Sequence, residues 1–337
     1  MALRADTELS YGLPDRNPAL EDVAQSLRNI DGEQSYQVYF DPEVSVTLHG
    51  HIQGIARLPV AHGSPWFVMS KSQDGDAQHA GFLWVNHPAS SSLGEAFSAE
   101  RAQGGPGPGK LAHFWGRSRS EHPGGLQQCG QLIAVAQDPE NGFSFVSLID
   151  GRDPEHPAFL GRLLLDGSHG EQVDGITCAG LTRLADGHTL LFAYRYSATH
   201  PENCRGHFFR SEQATLDAAT TWQRIATLKL GSGLPANWQP AIENVALVNQ
   251  RDGSIFLAAL YGGVLTSHVD LYQLVGDEPA LALERRASKT LRTMLGGGTL
   301  RAGGALHITP TRKLVVYAVQ KEHGDAVGNM LVEEFIG

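Results

Sequence analysis

The stretch LHGHIQGIARL, from Leu48 to Leu58, puts His49, His51 and Gln53 at alternate positions. Alternate residues of an extended chain share one face, so two imidazoles and an amide would project together. Further along stand His122, Asp174, Glu243 with Asn244, and Arg301, each beside small residues and ahead of an apolar run. Such a set has chemistry if it converges. An imidazole titrates near neutrality and beside a carboxylate is a competent general base. His51 or His122 would then move protons, and Asp174 or Glu243 would orient the ring. The same four side chains offer nitrogen and oxygen donors suited to Zn or Mn. Arg301 would clamp a carboxylate or phosphate through two parallel hydrogen bonds, or pair with Glu243. His307 is a further candidate. The alternative is that these groups bond one another and water and serve only to fill a polar channel.

Elements must hold these residues in place. The chain has 337 residues, 41% of them hydrophobic, enough for one large all-β domain or two smaller ones. Its 39 glycines and 17 prolines are spread throughout, which implies many turns and few long helices. One short helix is expected near the N-terminus: in RNPALEDVAQSLRNIDG, Asn17 would cap, Pro18 would open the first turn, and Leu20, Val23, Ala24 and Leu27 would form the stripe. Downstream, runs such as WFVMSKS, QLIAVAQD, TLLFAYRY and KLVVYAVQ have strand length, and Asp-Gly or Asn-Gly turns separate several of them. Five segments look alike, opening at His51, His122, Asp174, Glu243 and Arg301. Each passes from a polar opening into an apolar strand, a turn and a second apolar strand. The spacing is too long for a solenoid repeat.

The stretch FSFVSLIDGRDPEHPAFLGRLLL resembles the LVIVD type of β-propeller repeat, and TLDAATTW, Thr215 to Trp222, is similar to a degenerate Asp-box hairpin of sialidase-like propellers. In the latter Ala219 replaces the turn glycine. The resemblance implies an all-β fold read as a single five-bladed β-propeller, with six blades or a pair of β-sandwiches as alternatives. Residues 1–34 would be an N-terminal extension with the short helix, and residues 35–337 the propeller. The run SYQVYFDPEVSVTL would supply the missing outer strand of the last blade and close the ring. In a propeller the inner strands line a central channel, so the openings of the repeats would meet at one mouth. There Glu243 and Asn244 are placed as in calcium-dependent lactonase propellers, although Arg301 would repel a cation. Trp115 and Trp238, in segments entering inner strands, would wall a pocket for a flat or apolar ligand.

Other features narrow the function. The formal net charge of −10 argues against nucleic acid or an anionic membrane as partner. The three cysteines form no CxxC, and no secretory h-region or spanning stretch is evident, which suits a cytoplasmic protein. Cys129 and Cys178 read as buried core residues rather than nucleophiles. GGPGPGK, Gly104 to Lys110, matches the front of a P-loop, but Leu111 stands where Ser or Thr should bind magnesium, so a connecting loop or lid is the better reading. Two function classes remain. One is a non-redox enzyme (hydrolase, lyase, isomerase or cyclase) acting on a small molecule, anionic or aromatic, with His51, His122, Asp174 and Glu243 as catalytic or metal-binding groups. His49, Gln53, Asn244, Arg301, Trp115, Trp238 and His307 would contact the substrate. No cofactor is implied beyond a divalent Zn, Mn or Ca. The other class is a non-catalytic propeller that binds a protein or glycan.

Overall fold

The computed structural model describes residues 2–40, 51–59, 66–72, 81–86, 110–115, 122–140, 143–165, 175–197, 200–263, 266–293, 298–320 and 330–337. His49, Asp174 and the glycine-rich stretch 104–109 lie outside the described residues. The fold is all-β, with one short α-helix, α1 (Val23–Asn29), followed by β1 (Tyr36–Phe40). The remaining strands run as successive antiparallel meanders. The first is β2 (His51–Leu58), β3 (Trp66–Ser72), β4 (Gly81–Asn86) and β5 (Lys110–Trp115), and the second is β6 (Pro123–Cys129), β7 (Leu132–Glu140), β8 (Phe143–Asp150) and β9 (Ala158–Leu164). The third is β10 (Ile176–Arg183), β11 (Thr189–Arg195), β12 (Arg205–Ser211) and β13 (Trp222–Leu230), extended by the two-residue β14 (Gly233–Leu234). The fourth is β15 (Asn244–Asn249), β16 (Ile255–Gly262), β17 (Thr266–Val275) and β18 (Ala282–Arg292). Then come β19 (Thr299–Ile308), β20 (Leu314–Val319) and β21 (Met330–Ile336), and β1 adds antiparallel to β21 as a fourth strand from the opposite end of the chain.

The sheets pack face to face, so most strands bury both faces and read as apolar runs rather than alternating patterns. Ala56, Val68 and Trp84 of the first meander pack with Leu126, Ile133 and Ile149 of the second. Ala134 and Val146 pack with Leu181, Leu191 and Phe209 of the third, and Phe192, Tyr194 and Phe208 pack with Val245, Leu257 and Tyr272 of the fourth. Val248 and Leu271 pack with Leu306, Val316 and Phe335 of the last sheet, and α1 adds Val23 and Leu27 to that layer. Phe67 meets Tyr317 edge-on at 5.3 Å between ring centroids, joining the first sheet to the last. Beside it the fully buried Arg57 donates to the Tyr317 hydroxyl at 2.9 Å, and that hydroxyl donates to Glu334 at 2.9 Å. Burial works against the Arg57 charge, but Tyr317, Tyr11 and Glu334 together hold its pKa above the ordinary value.

The first strand of each meander has an antiparallel ladder partner on one side only. Its other edge is satisfied largely by amide side chains. Gln127 accepts from the N–H groups of Leu181 (2.9 Å) and Leu247 (2.8 Å) and donates to the Leu247 carbonyl (2.9 Å), so one side chain joins β6, β10 and β15. Gln128 donates to the Arg57 carbonyl at 3.1 Å, and Asn249 donates to the Arg183 carbonyl at 2.9 Å. One parallel backbone bridge, Cys178 with Gly125, merges the second and third meanders into one sheet.

Asn17 does not cap a helix. The N-cap is Asp22, whose carboxylate accepts from Gln25 N–H at 2.8 Å, and residues before it run extended across the turns of the sheets. Asn17 is drawn away to Gln128 and to Gly130 N–H (2.9 Å), while Leu20 N–H pairs with the Asn249 carbonyl at 3.0 Å; these partners outcompete another helical turn. The segment also places Tyr11 on His307 (3.3 Å), and Arg16 binds Asp6 (2.6 Å) and Asp15 (3.0 Å). Among the described residues no helix is long and apolar enough to cross a membrane.

Two outcomes follow. Gln127→Leu strands three backbone groups in a water-poor interior, at about 1–3 kcal/mol each; urea unfolding should show a loss on the order of 3 kcal/mol, and a loss below about 1 kcal/mol would mean water replaces the amide. For Asp15, burial raises the carboxyl pKa but Arg16 and Arg183 more than offset it, leaving the group below its ordinary value. That contribution is present above about pH 4, the unfolded range, and fades as pH falls through the lower folded value. Asp15→Asn should therefore lower the melting temperature at neutral pH, with the difference from wild type vanishing in strong acid. A constant difference at all pH values would contradict the electrostatic account.

Candidate functional site

β2, β6, β10 and β15 begin at one end of the molecule, and three of the sequence candidates meet there. His51 opens β2, His122 immediately precedes β6, and Glu243 immediately precedes β15. The rings of His51 and His122 lie 5.8 Å apart, edge to face, at 67°. Both are half-buried, so the pair borders solvent. The Gln53 amide nitrogen is 2.6 Å from His51 Nε2. Ser72 Oγ lies 3.1 Å from Nδ1, 3.2 Å from Nε2 and 3.3 Å from the His51 carbonyl. The polar face that opened β2 thus holds one imidazole between Gln53 and Ser72.

Asn244 is fully buried and reaches across to the Gln53 carbonyl at 3.3 Å. It meets β6 closely as well: a Cβ on Gly125 would sit 2.3 Å from the Glu243 carbonyl oxygen and 2.7 Å from Asn244 Oδ1. On Gly124 it would sit 2.3 Å from the Thr177 carbonyl oxygen. Only glycine allows these strands to come so near, and their contact closes the interior below the histidine pair. Glu243 is half-buried and close enough to act on Cys178, whose thiol is pushed far up, first by burial and then by the Glu243 charge. Gln53, His51, His122 and Asn244 therefore occupy one neighbourhood, with Glu243 next to Asn244 in the chain.

The other candidates are distributed differently. Arg301 is exposed on β19, two residues ahead of Gly303, whose backbone abuts Gly54 of β2. Its guanidinium makes no ion pair with the described residues, so the anticipated pairing with Glu243 is not formed. His307 lies at the far end of β19, buried against Tyr11, and is not part of the neighbourhood. Trp238 walls no pocket: it is buried between Tyr194 (5.6 Å) and Tyr272 (4.9 Å), because an indole of that size gains most by filling the gap between two sheets. Trp115 is the last residue of the outermost strand β5. Among the described residues no three His, Cys, Asp or Glu side chains are grouped so as to hold a metal ion. Ser72, which orients His51, escaped the sequence reading; its one trace is that WFVMSKS turns polar at its end.

No family model and no curated protein matches the chain. Among solved structures, a GH43_1 enzyme from Xanthomonas citri aligns at 9% identity over 92% of each chain, with a TM-score of 0.47. A Penicillium chrysogenum α-L-arabinanase complexed with arabinobiose aligns at 10% identity over 89% of this chain and 97% of its own, at 0.43. A neuraminidase-like protein of A/flat-faced bat/Peru aligns at 9% over 98% and 97%, at 0.42. Likeness at this level establishes neither kinship nor activity.

All three cysteines are free and buried, and burial pushes the Cys129 thiol up to about 12. A thiol reagent added to the native protein at neutral pH should label none of them rapidly, and all should react in denaturant. Fast labelling of Cys178 in the native state would show that the neighbourhood beneath Glu243 is open to solvent.

Proposed function

We propose that the five successive meanders close into a five-bladed β-propeller, and that the chain is a non-redox hydrolase acting on a small molecule at the mouth, with His122 and Glu243 as its proton-moving groups. Ring closure is supported at every junction. Gln128 links β6 to β2, Cys178 and Gly125 bridge β10 and β6, and Asn249 links β15 to β10. Ser267 of β17 accepts from Leu300 N–H of β19 at 3.0 Å, and Arg57 of β2 binds Tyr317 of β20. The addition of β1 to β21 fits a fastening of the two chain ends within one blade.

The observation that carries the functional reading is the edge-to-face pair of His51 and His122. His51 Nε2 is engaged by Gln53 and Ser72, so His122 is the better base and His51 its orienting neighbour. Hydrolysis needs a base to take a proton from attacking water and an acid to return one to the leaving atom. Glu243 is the nearby carboxyl group for the second role, and the exposed Arg301 could draw an anionic substrate towards the mouth.

The test is a panel of chromogenic esters, lactones and glycosides. On whichever compound is turned over, His122→Ala and Glu243→Gln should each cut kcat by about 10²–10⁴-fold, the usual worth of a positioned acid or base, with melting temperatures little changed. Arg301→Ala should raise KM for anionic members only. No turnover anywhere, or full turnover by both variants, would overturn the reading.

A further inference from the structure

β6, β10 and β15 finish at the end opposite the histidine pair, and there a loop of the N-terminal segment lies over buried polar groups. Two apolar anchors hold it. Ala5 is buried in the cluster of Leu184 and Ile255, and Leu20 in that of Val248 and Leu271. Between them, from Asp6 to Asn17, every residue is half-buried or exposed. The base of the loop closes on itself: Ala19 N–H donates to the Glu8 carbonyl at 2.7 Å, and Arg16 binds Asp6 at 2.6 Å. Near its middle Gly12 has φ +80, and a Cβ there would meet nothing within 4 Å. This is the form of a compact surface loop whose ends are close. The groups beneath it are the buried ones: Gln128, Cys129, Arg183, Asn249 and His307. Each contact from the loop down to them is polar. Asn17 bonds the Gln128 side chain (2.9 Å) and Gly130 N–H (2.9 Å), and the Pro14 carbonyl accepts from Gln131 N–H (2.9 Å). The Cys129 thiol donates to the Asp15 carbonyl at 3.5 Å, Asp15 faces Arg183 at 3.5 Å, and Tyr11 meets His307 at 3.3 Å. A segment held by hydrogen bonds and part-exposed ion pairs, with its apolar burial confined to its ends, belongs at the low end of local stability.

We propose that residues 6–17 are a lid that opens as a unit about its two anchors, and that its opening gives small solutes a second way in, at the far end of the sheets. The Asp6–Arg16 and Asp15–Arg183 pairs are its latch, and Gln128, Cys129, Arg183 and His307 are the groups it uncovers. The left-handed backbone at Gly12 shapes the closed loop, so the closed form depends on a conformation that glycine adopts freely and other residues do not. The inference stands apart from the chemistry at the histidine pair.

Hydrogen exchange on the full chain tests the lid. It is read at the N–H groups of Gly130 and Gln131, which the loop satisfies, against those of Leu181 and Leu247, which Gln127 satisfies in the interior. Gly130 and Gln131 should share one protection factor, lower than that of Leu181 and Leu247 by about tenfold or more, since they open locally. Gly12→Ala, which removes no contact, and Arg16→Gln, which frees Asp6 and Asp15, should each lower it severalfold further and leave Leu181 and Leu247 unchanged. N-ethylmaleimide labelling of the native protein, slow in wild type and located by peptide mass, should rise at Cys129 in the same two variants and not at Cys178. Equal protection at all four amides, or a loss shared by all four in the variants, would mean that the loop leaves only when the chain unfolds, and would overturn the lid. Variants that change nothing would overturn it too. Faster exchange with Cys129 labelled no faster would mean that the loop loosens without parting, and the second entrance would fail.

Discussion

The fold depends on how the inner edges of its sheets dispose of their backbone groups. A meander leaves its first strand with one unpaired edge, and here that edge faces other strands rather than water. An unsatisfied N–H or C=O in such a place costs about as much as a good core contact contributes. Gln127 resolves the problem at the most crowded point by acting as a piece of backbone: its carbonyl accepts two N–H groups and its amide donates to a carbonyl, from two neighbouring strands. Gln128, Asn249 and Asn244 do the same on a smaller scale. Primary amides are the right residue type, since each offers a donor and an acceptor without charge and so needs no counter-ion when buried.

That arrangement decides where chemistry can occur. Strands tied together by Gln127 and Asn244, with glycine at the closest approaches, pack tightly at that depth. At the opposite end the N-terminal segment runs over the turns, held by Asn17, Asp15 and Arg16. What remains accessible is the end where His51, His122 and Glu243 stand half-buried. The contrast with Cys178 is instructive: close by, but fully enclosed, its thiol is pushed away from reactivity, while the imidazoles at the rim keep contact with solvent.

Much of the fold was legible because strand-length apolar runs and Asp-Gly turns are local signals. The five polar openings were legible for the same reason, and the rings of two of them, His51 and His122, lie against each other. Errors came where a distant partner decided the outcome. Asn17 has the form of a helix cap, but Gly130 and Gln128, more than a hundred residues away, claim its side chain. Trp238 precedes an inner strand as a pocket wall would, yet nothing local says that Tyr194 and Tyr272 will close over it. Gln127 sits in the stretch GGLQQCG, where nothing local singles it out; its importance appears only when three strands are assembled around it. Ser72 is missed for the same reason, since its value lies in a ring twenty-one positions earlier in the chain.

Charge is partitioned by a similar logic. In the centre, where water is scarce, uncharged amides do the joining. Arg57 is one exception, and it survives there because Tyr317 carries its hydrogen bond onward to Glu334. At the rim charge is cheap, since solvent screens it, and there the cations of β11, β12 and β13 line up in register.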